Sequence, residues 1–168
     1  MSQPTQRFIE RVRARAGDAS TTTAEGLDSH VERVIEAPTV ATPTVVDTFG
    51  LGGLELNTRP TPAELAGART GLTGASLGVA NHGSIVLPSG AEATELVSLY
   101  PRRHVAILAA SAIVEGLGET VDHLADTLGS STTSAVMATG PSATADMGDL
   151  VYGAHGPTEV HVVVVTDR

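Results

Sequence analysis

Apolar positions recur with a helical period twice near the start of the chain. Phe8, Ile9, Val12 and Ala16 share one face of a helix expected over residues 4–16, with Pro4 in its first turn. Leu27, Val31, Val34 and Ile35 share a face of a second helix, which stops before Pro38. Between them, Gly17 to Thr23 reads as a polar linker. Val40 to Pro43 is extended, bracketed by prolines 38 and 43, and Val45 to Phe49 reads as a short strand. Thr61-Pro62-Ala63-Glu64 is a helix start, with Thr as cap, Pro first and Glu three residues after the cap. That helix ends near Gly71.

The pattern then changes. In Leu72 to Leu87, Gly74, Gly78 and Gly83 break the run into turns before a buried strand at Ser84 to Leu87. Pro88 to Thr94 is a turn and Glu95 to Leu99 reads as extended. His104 to Ala110 is a short apolar run of the kind found in a central parallel strand. Ser111 to Leu128 has the strongest helical pattern: Ile113, Leu117, Val121, Leu124 and Leu128 form one stripe, Glu115, Glu119, Asp122 and Asp126 another, and Gly129 closes it. A strand over residues 133–138, a helix over 144–152 and a strand from Val160 to Val165 complete the chain. Strand, helix, strand, helix, strand implies right-handed crossovers, hence an α/β fold with a mostly parallel sheet flanked by helices. In such sheets ligands sit beyond the carboxyl ends of the strands, here the loops Ala109-Ala110-Ser111 and Thr139-Gly140-Pro141-Ser142. The expected organisation is an N-terminal helical segment over residues 1–36 and an α/β domain over 37–168, forming a single globular unit.

Composition narrows the function. With 2% aromatics, the core must be built from Val, Leu, Ile and Ala. The absence of cysteine excludes disulfides, Cys-ligated zinc and iron–sulfur clusters held by this chain. No run is long and apolar enough to span a bilayer and no secretory h-region opens the sequence, so a cytoplasmic location is expected. Nineteen acidic residues stand against ten Arg and no Lys, a net charge of -9, which argues against a nucleic-acid partner. Four of the ten Arg, at positions 7, 11, 13 and 15, lie on the first helix as a solvated face or a dock for an acidic partner. Such an acidic surface suits a halophilic cytoplasm, while a GC-rich genome alone would also replace Lys by Arg.

The candidate chemistry concentrates in Met137 to Pro157. A Gly140-Pro141-Ser142 turn leads into the expected helix, and Gly153 leads to a second bend at His155-Gly156-Pro157. Read this way, strand, glycine turn and helix N-terminus form a cradle for an anion, with Ser142, Thr144, Asp146 and His155 around it. The same residues also fit a purely structural role, as caps and turn formers. Asn81-His82-Gly83-Ser84 precedes a strand and forms a facing corner, where glycine would admit a ligand close to the backbone. Arg102 and Arg103, ahead of His104, are candidates for anion recognition or partners of Glu92 or Glu95. His30 and His123 read as surface residues, no His pair has helical zinc spacing, and no Gly-X-Ser-X-Gly elbow is present.

These motifs together resemble the LUD domain, the lactate-utilisation family of LutC/YkgG proteins. The resemblance runs from Gly71 to Val165 and rests on Gly71-Leu72-Thr73-Gly74-Ala75 with Gly83-Ser84-Ile85-Val86-Leu87, and on Pro101 with His104-Val105. Its most specific parts are Gly140-Pro141-Ser142 with Thr144-Ala145-Asp146-Met147, and Gly153-Ala154-His155-Gly156-Pro157. It implies a NagB/RpiA/CoA-transferase-like fold, and a role in L-lactate oxidation to pyruvate beside iron–sulfur proteins of the LutA/LutB type. Alternatives are a non-catalytic assembly subunit, or an enzyme of phosphosugars or CoA esters by analogy of fold. The chain departs from the family pattern at Asn81-His82, where Glu-Thr is usual, at Ala143, where a basic residue is frequent, and at Gly148, where Glu is usual. The candidate site therefore comprises His155, Asp146 and His82 for proton transfer. Asn81, Gly83, Ser84, His104, Gly140, Pro141, Ser142, Thr144 and Gly156 would bind a small anionic metabolite. No cofactor, metal or membrane is implied, and assembly as a homo-oligomer is left open.

Overall fold

The computed structural model describes residues 1–127, 134–146 and 149–168, with residues 145, 146, 149 and 150 described as backbone. The first helix, α1 (Gln3–Ala14), is capped by Ser2 and carries Pro4 in its first turn; Thr5, Phe8, Ile9 and Val12 are buried. The segment expected as a polar linker is instead a strand, β1 (Asp18–Thr22). Its polarity is that of an edge strand: Ala19 is its one fully buried residue, and Thr-rich sequence suits a pleated surface. Then come α2 (Leu27–Val34), β2 (Thr39–Ala41) and α3 (Pro43–Phe49). The last was expected to be a strand from its β-branched residues, but Pro43 presets the first turn and left-handed Gly50 closes the helix.

Next, α4 (Pro62–Gly67) begins with the expected reciprocal capping box between Thr61 and Glu64. Two strands then occupy what the glycines suggested were turns, β3 (Thr70–Gly74) and β4 (Leu77–Val79), followed by β5 (Ser84–Pro88). The expected extended segment after it is a helix, α5 (Thr94–Leu99), which buries Val97 and Ser98. The central strand is β6 (Arg103–Ala109), and Ile113 and Val114 form the two-residue β7.

α6 (Leu117–Thr127) is shorter than the sequence pattern suggested, because Ala110–Ala112 forms a 3-10 turn and Ile113–Val114 pairs with β4. Its expected apolar stripe is only partly buried: Leu124 packs against Leu77, Val79 and Val86, whereas Leu117 and Val121 are 45% and 61% exposed and Thr120 is fully buried. Leu128 and Gly129 lie outside the described residues. β8 (Ala135–Ala138), β9 (Ala143–Asp146), β10 (Asp149–Tyr152) and β11 (Glu159–Val165) complete the order.

Five strands form the main sheet in the order β1-β11-β6-β3-β2, every pair parallel. A second sheet, β7-β4-β5-β8, is mixed, with β8 antiparallel to β5. The expected chain of crossovers after β6 therefore fails at β8, which leaves the main sheet. The alternation of β6 and β11 builds two cores. Ala106, Leu108, Val162 and Val164 pack with Phe8 and Val12 of α1 and with Ile85 and Leu87 of β5. Val105, Ile107, Val163 and Val165 face the other way, onto Leu27 and Val31 of α2 and Val45 of α3. Residues 1–36 thus contribute an edge strand and part of both cores.

Candidate functional site

The helix expected after Gly140-Pro141-Ser142 is not found among the described residues: β9 and β10 pair antiparallel, Ala143 opposite Tyr152 and Asp146 opposite Asp149. Without that helix there is no dipole to hold an anion, so the cradle as read from sequence is corrected. The backbone groups of Ser142 are also engaged. Its N–H donates to the Pro157 carbonyl at 2.9 Å, and its carbonyl accepts from the Gly153 N–H at 2.8 Å. The two Gly-Pro bends are thereby stapled side by side. Gly156 lies against them so closely that a Cβ there would sit 3.0 Å from Cβ of Ser142.

Gly140 and Gly83 have positive φ, 66° and 68°. What approaches them is the protein itself. A Cβ on Gly140 would run into the Arg15 carbonyl, and one on Gly83 into the backbone of Arg11 and Val12. Glycine therefore admits α1 at Gly83, where a ligand was expected.

The stapled bends close over a cavity of about 240 Å³. Gly140, Pro141, Ser142 and His155 line it together with His104, and apolar walls come from Leu87, Leu99 and Val136. His104 is 2% exposed, and its Nε2 pairs with Thr73 Oγ1 at 2.8 Å. Burial holds this imidazole down to about 4, so it is neutral near pH 7. His155 is exposed at the rim. The cavity lies at the amino ends of β6 and β11, beside His104 and Val160, and not at the carboxyl ends that the general rule for such sheets suggests.

The other corner stands apart. Asn81 accepts from Arg7 at 3.3 Å, and Arg7 also pairs with Glu115 at 2.5 Å. Nδ1 of His82 is buried without a hydrogen-bond partner. Neither residue lines the cavity. Ser84, buried, reaches it only indirectly, through a 2.7 Å hydrogen bond to Thr139, which does line it. Thr144 lies in β9 opposite Val151, outside the lining. The side chain of Asp146, and Met147 and Gly148, lie outside the described residues.

The adjacent arginines are spoken for. Arg103 donates to Glu159 and to the Val34 carbonyl, and Arg102 donates to Glu159, so neither meets Glu92 or Glu95 as expected. The Arg103 hydrogen bonds hold Glu159 below the usual carboxylate range. Residues that sequence reasoning passed over are Ser98 and Leu99, both hidden by reading α5 as extended. Among the described residues no group of three His, Asp or Glu is placed to hold a metal ion, and no helix is long and apolar enough to cross a membrane.

Fold and cavity together define an α/β domain of a parallel sheet backed by a mixed one, with a mostly apolar cavity bordered by two stapled bends. The chain belongs to the LUD domain family, whose pattern it matches over residues 55–165. It is 35% identical over 105 residues to a lactate utilization protein C of Geobacillus sp. (strain WCH70), covering 60% of this chain and 44% of that protein. The Bacillus subtilis (strain 168) lactate utilization protein C is 34% identical over the same length and coverage. The matched stretch is thus less than half of these relatives. The crystal structure of a DUF162 family protein from Deinococcus radiodurans superposes with a TM-score of 0.75, covering 98% of this chain and 99% of that one at 21% identity, which shows a shared fold.

Proposed function

We propose that the chain acts in lactate utilisation as a LutC-like protein, and that its cavity receives a small monocarboxylic acid such as lactate or pyruvate. One observation carries this reading: the cavity sets a few polar side chains among mostly apolar walls, with room for a three-carbon acid. Ser142 and His155 offer a hydroxyl and an imidazole to a carboxylate, while Leu99 and Val136 face a short apolar tail. His155 is the proton-transfer candidate if a reaction occurs there. Two features favour lactate utilisation over a phosphosugar or CoA ester: the names borne by the curated relatives, and a cavity whose described lining includes no arginine. Electrons would pass to iron–sulfur partners of the LutA/LutB type, since a chain without cysteine holds no Cys-ligated cluster. A cytoplasmic setting, and a salt-rich one for so acidic a surface, belong to the same proposal.

Calorimetric titration with lactate, pyruvate and phosphate tests it. Binding of either organic acid is expected, weakened roughly tenfold or more in Ser142→Ala and His155→Ala, the loss of about one charge-assisted hydrogen bond each. Unchanged affinity in both variants, or no heat with any of the acids, refutes the cavity as the site.

A further inference from the structure

A second constellation occupies the opposite face of the main sheet. Along β11, Val160 packs into the α1 core, whereas His161 turns to the α2 side, where Ser20 joins it to His30. Four side chains form one hydrogen-bonded row, and the carboxylate of Asp18 stands at its end. Arg33 Nη2 stands 3.3 Å from His30 Nδ1, and His30 Nε2 stands 2.7 Å from Ser20 Oγ. Ser20 Oγ stands 2.7 Å from His161 Nε2, and His161 Nδ1 stands 3.3 Å from Asp18 Oδ2.

The ends of the row fix its direction. A guanidinium can only donate and a carboxylate can only accept. With both rings neutral, only one order of hydrogens satisfies every contact. Arg33 donates to His30, whose Nε2–H donates to Ser20. The hydroxyl of Ser20 then donates to His161 Nε2, which puts the ring proton on His161 Nδ1, facing the Asp18 carboxylate at 3.3 Å. Burial pushes both imidazoles below their ordinary range, with Arg33 adding to the effect at His30 and Asp18 opposing it at His161. The neutral rings that this order needs are therefore present near pH 7.

The serine is thus held against an unprotonated imidazole nitrogen, with a carboxylate facing the ring's other nitrogen. That is the arrangement by which a hydroxyl becomes a nucleophile, recognised by roles and distances rather than by position in the sequence. Here Ser20 and His161 are 141 residues apart and no elbow motif announces them. A cavity of about 230 Å³ adjoins the row, lined by Asp18 and His161 with Arg103 and Glu159, and Ser20 lies one step from it through His161. Ser20 itself is half-buried, on a strand that is the edge of the main sheet among the described residues.

We propose that Ser20 is an activated nucleophile, with His161 as its general base and Asp18 as the residue that orients it, at a second site for short carboxylic esters. Ser20 Oγ adds to the ester carbonyl while its proton passes to His161 Nε2. The bond to the leaving alcohol breaks, and that oxygen takes the proton back from His161. Water then adds to the acyl-serine under the same base, releasing the carboxylic acid and restoring the hydroxyl. The sum is ester plus water to acid plus alcohol, with no redox partner.

The full chain is treated with a fluorophosphonate probe and mapped by peptide mass spectrometry, and p-nitrophenyl acetate hydrolysis is followed between pH 5 and 9. The label is expected on Ser20, with a hydrolysis rate that rises with pH as His161 loses its proton. Ser20→Ala and His161→Gln are each expected to lower that rate by roughly 10²-fold or more. Because the chain has no cysteine, Ser20→Cys supplies a single thiol, which keeps the proposal testable if Ser20→Ala fails to fold. That thiol is expected to alkylate with iodoacetamide faster than free cysteine at pH 7, and to lose the advantage when His161→Gln is added. An unlabelled Ser20, labelling that survives His161→Gln, or a Ser20→Cys thiol no faster than free cysteine overturns the assignment.

Discussion

The buried imidazole beneath the cavity gives the sharpest quantitative test of the structure. His104 is fully enclosed, and its Nε2 meets Thr73 Oγ1 at 2.8 Å. Burial lowers its pKa to about 4, against about 6.5 for an imidazole in the unfolded chain. Above about pH 6.5 neither state binds the proton, and the fold keeps its full stability. Between that value and about 4 the unfolded chain takes up a proton that the native state refuses, so stability falls as pH falls. The gap of roughly 2.5 units corresponds to on the order of 3 kcal/mol, a substantial part of the 5–15 kcal/mol typical of a domain. The perturbation is the pair Thr73→Val and His104→Leu. Thr73→Val alone leaves a buried imidazole nitrogen without a partner and should cost about 1–3 kcal/mol at pH 7.5. Adding His104→Leu removes the stranded group, so the double variant should be more stable than the sum of the single costs by about 1 kcal/mol or more. Urea unfolding followed by far-UV circular dichroism, at steps from pH 7.5 to 4.5, reads both effects. The double variant should also lose about one proton's worth of acid sensitivity, while the lowered imidazoles of His30 and His161 keep the remainder. Strictly additive single costs, or parallel pH profiles for the wild type and the double variant, would refute a neutral, hydrogen-bonded His104.

Two further predictions concern α1. Phe8 is fully buried between α1 and the main sheet, so Phe8→Ala should cost roughly 3–5 kcal/mol, seen as a lower urea midpoint at an unchanged slope. Gly140→Ala places a Cβ in a left-handed conformation against the Arg15 carbonyl and should cost about 1–2 kcal/mol or more. If the bend carries the site, the same change weakens lactate binding in calorimetry.

The parts of the fold that were legible in sequence are those with a signal dense in a few residues. Thr61 to Glu64 announced a capping box and formed one, and the apolar runs at residues 104–110 and 160–165 became the two central strands. The failures have physical causes. β1 is polar because it is an edge strand, so no alternating apolar pattern marked it. Gly74 and Gly78 looked like breakers but end or occupy strands; Gly78 leaves the space that Leu108 and Phe8 fill. Val45 to Phe49 was read by β-propensity, although Pro43 and Gly50 already bracketed a helix. The hairpin at residues 143–152 was the costliest error, since short polar segments carry no decisive period and the helix was inferred from the turn before it. Proximity of Ser142 and His155 to one cavity was readable because both sit on Gly-Pro bends. His104, also named from the sequence, lines the same cavity, whereas the wall that Val136 brings was not readable, because it depends on which sheet β8 joins.

Replacing the expected helix by a hairpin changes what the cavity can recognise. A helix N-terminus would have offered several free N–H groups and a partial positive charge, enough to hold a phosphate. In the folded chain the Ser142 N–H is spent on Pro157, and Arg102 and Arg103 are paired with Glu159. The polar side chains of the lining are the hydroxyls of Ser98, Thr139 and Ser142 and two imidazoles, one of them buried and neutral. Such groups hydrogen-bond a single carboxylate well, but leave the second charge of a phosphate unpaired in a half-apolar enclosure, where an unpaired charge is costly. The bends therefore favour a monocarboxylate by what they lack as much as by what they present, and phosphate should give no heat where lactate or pyruvate does.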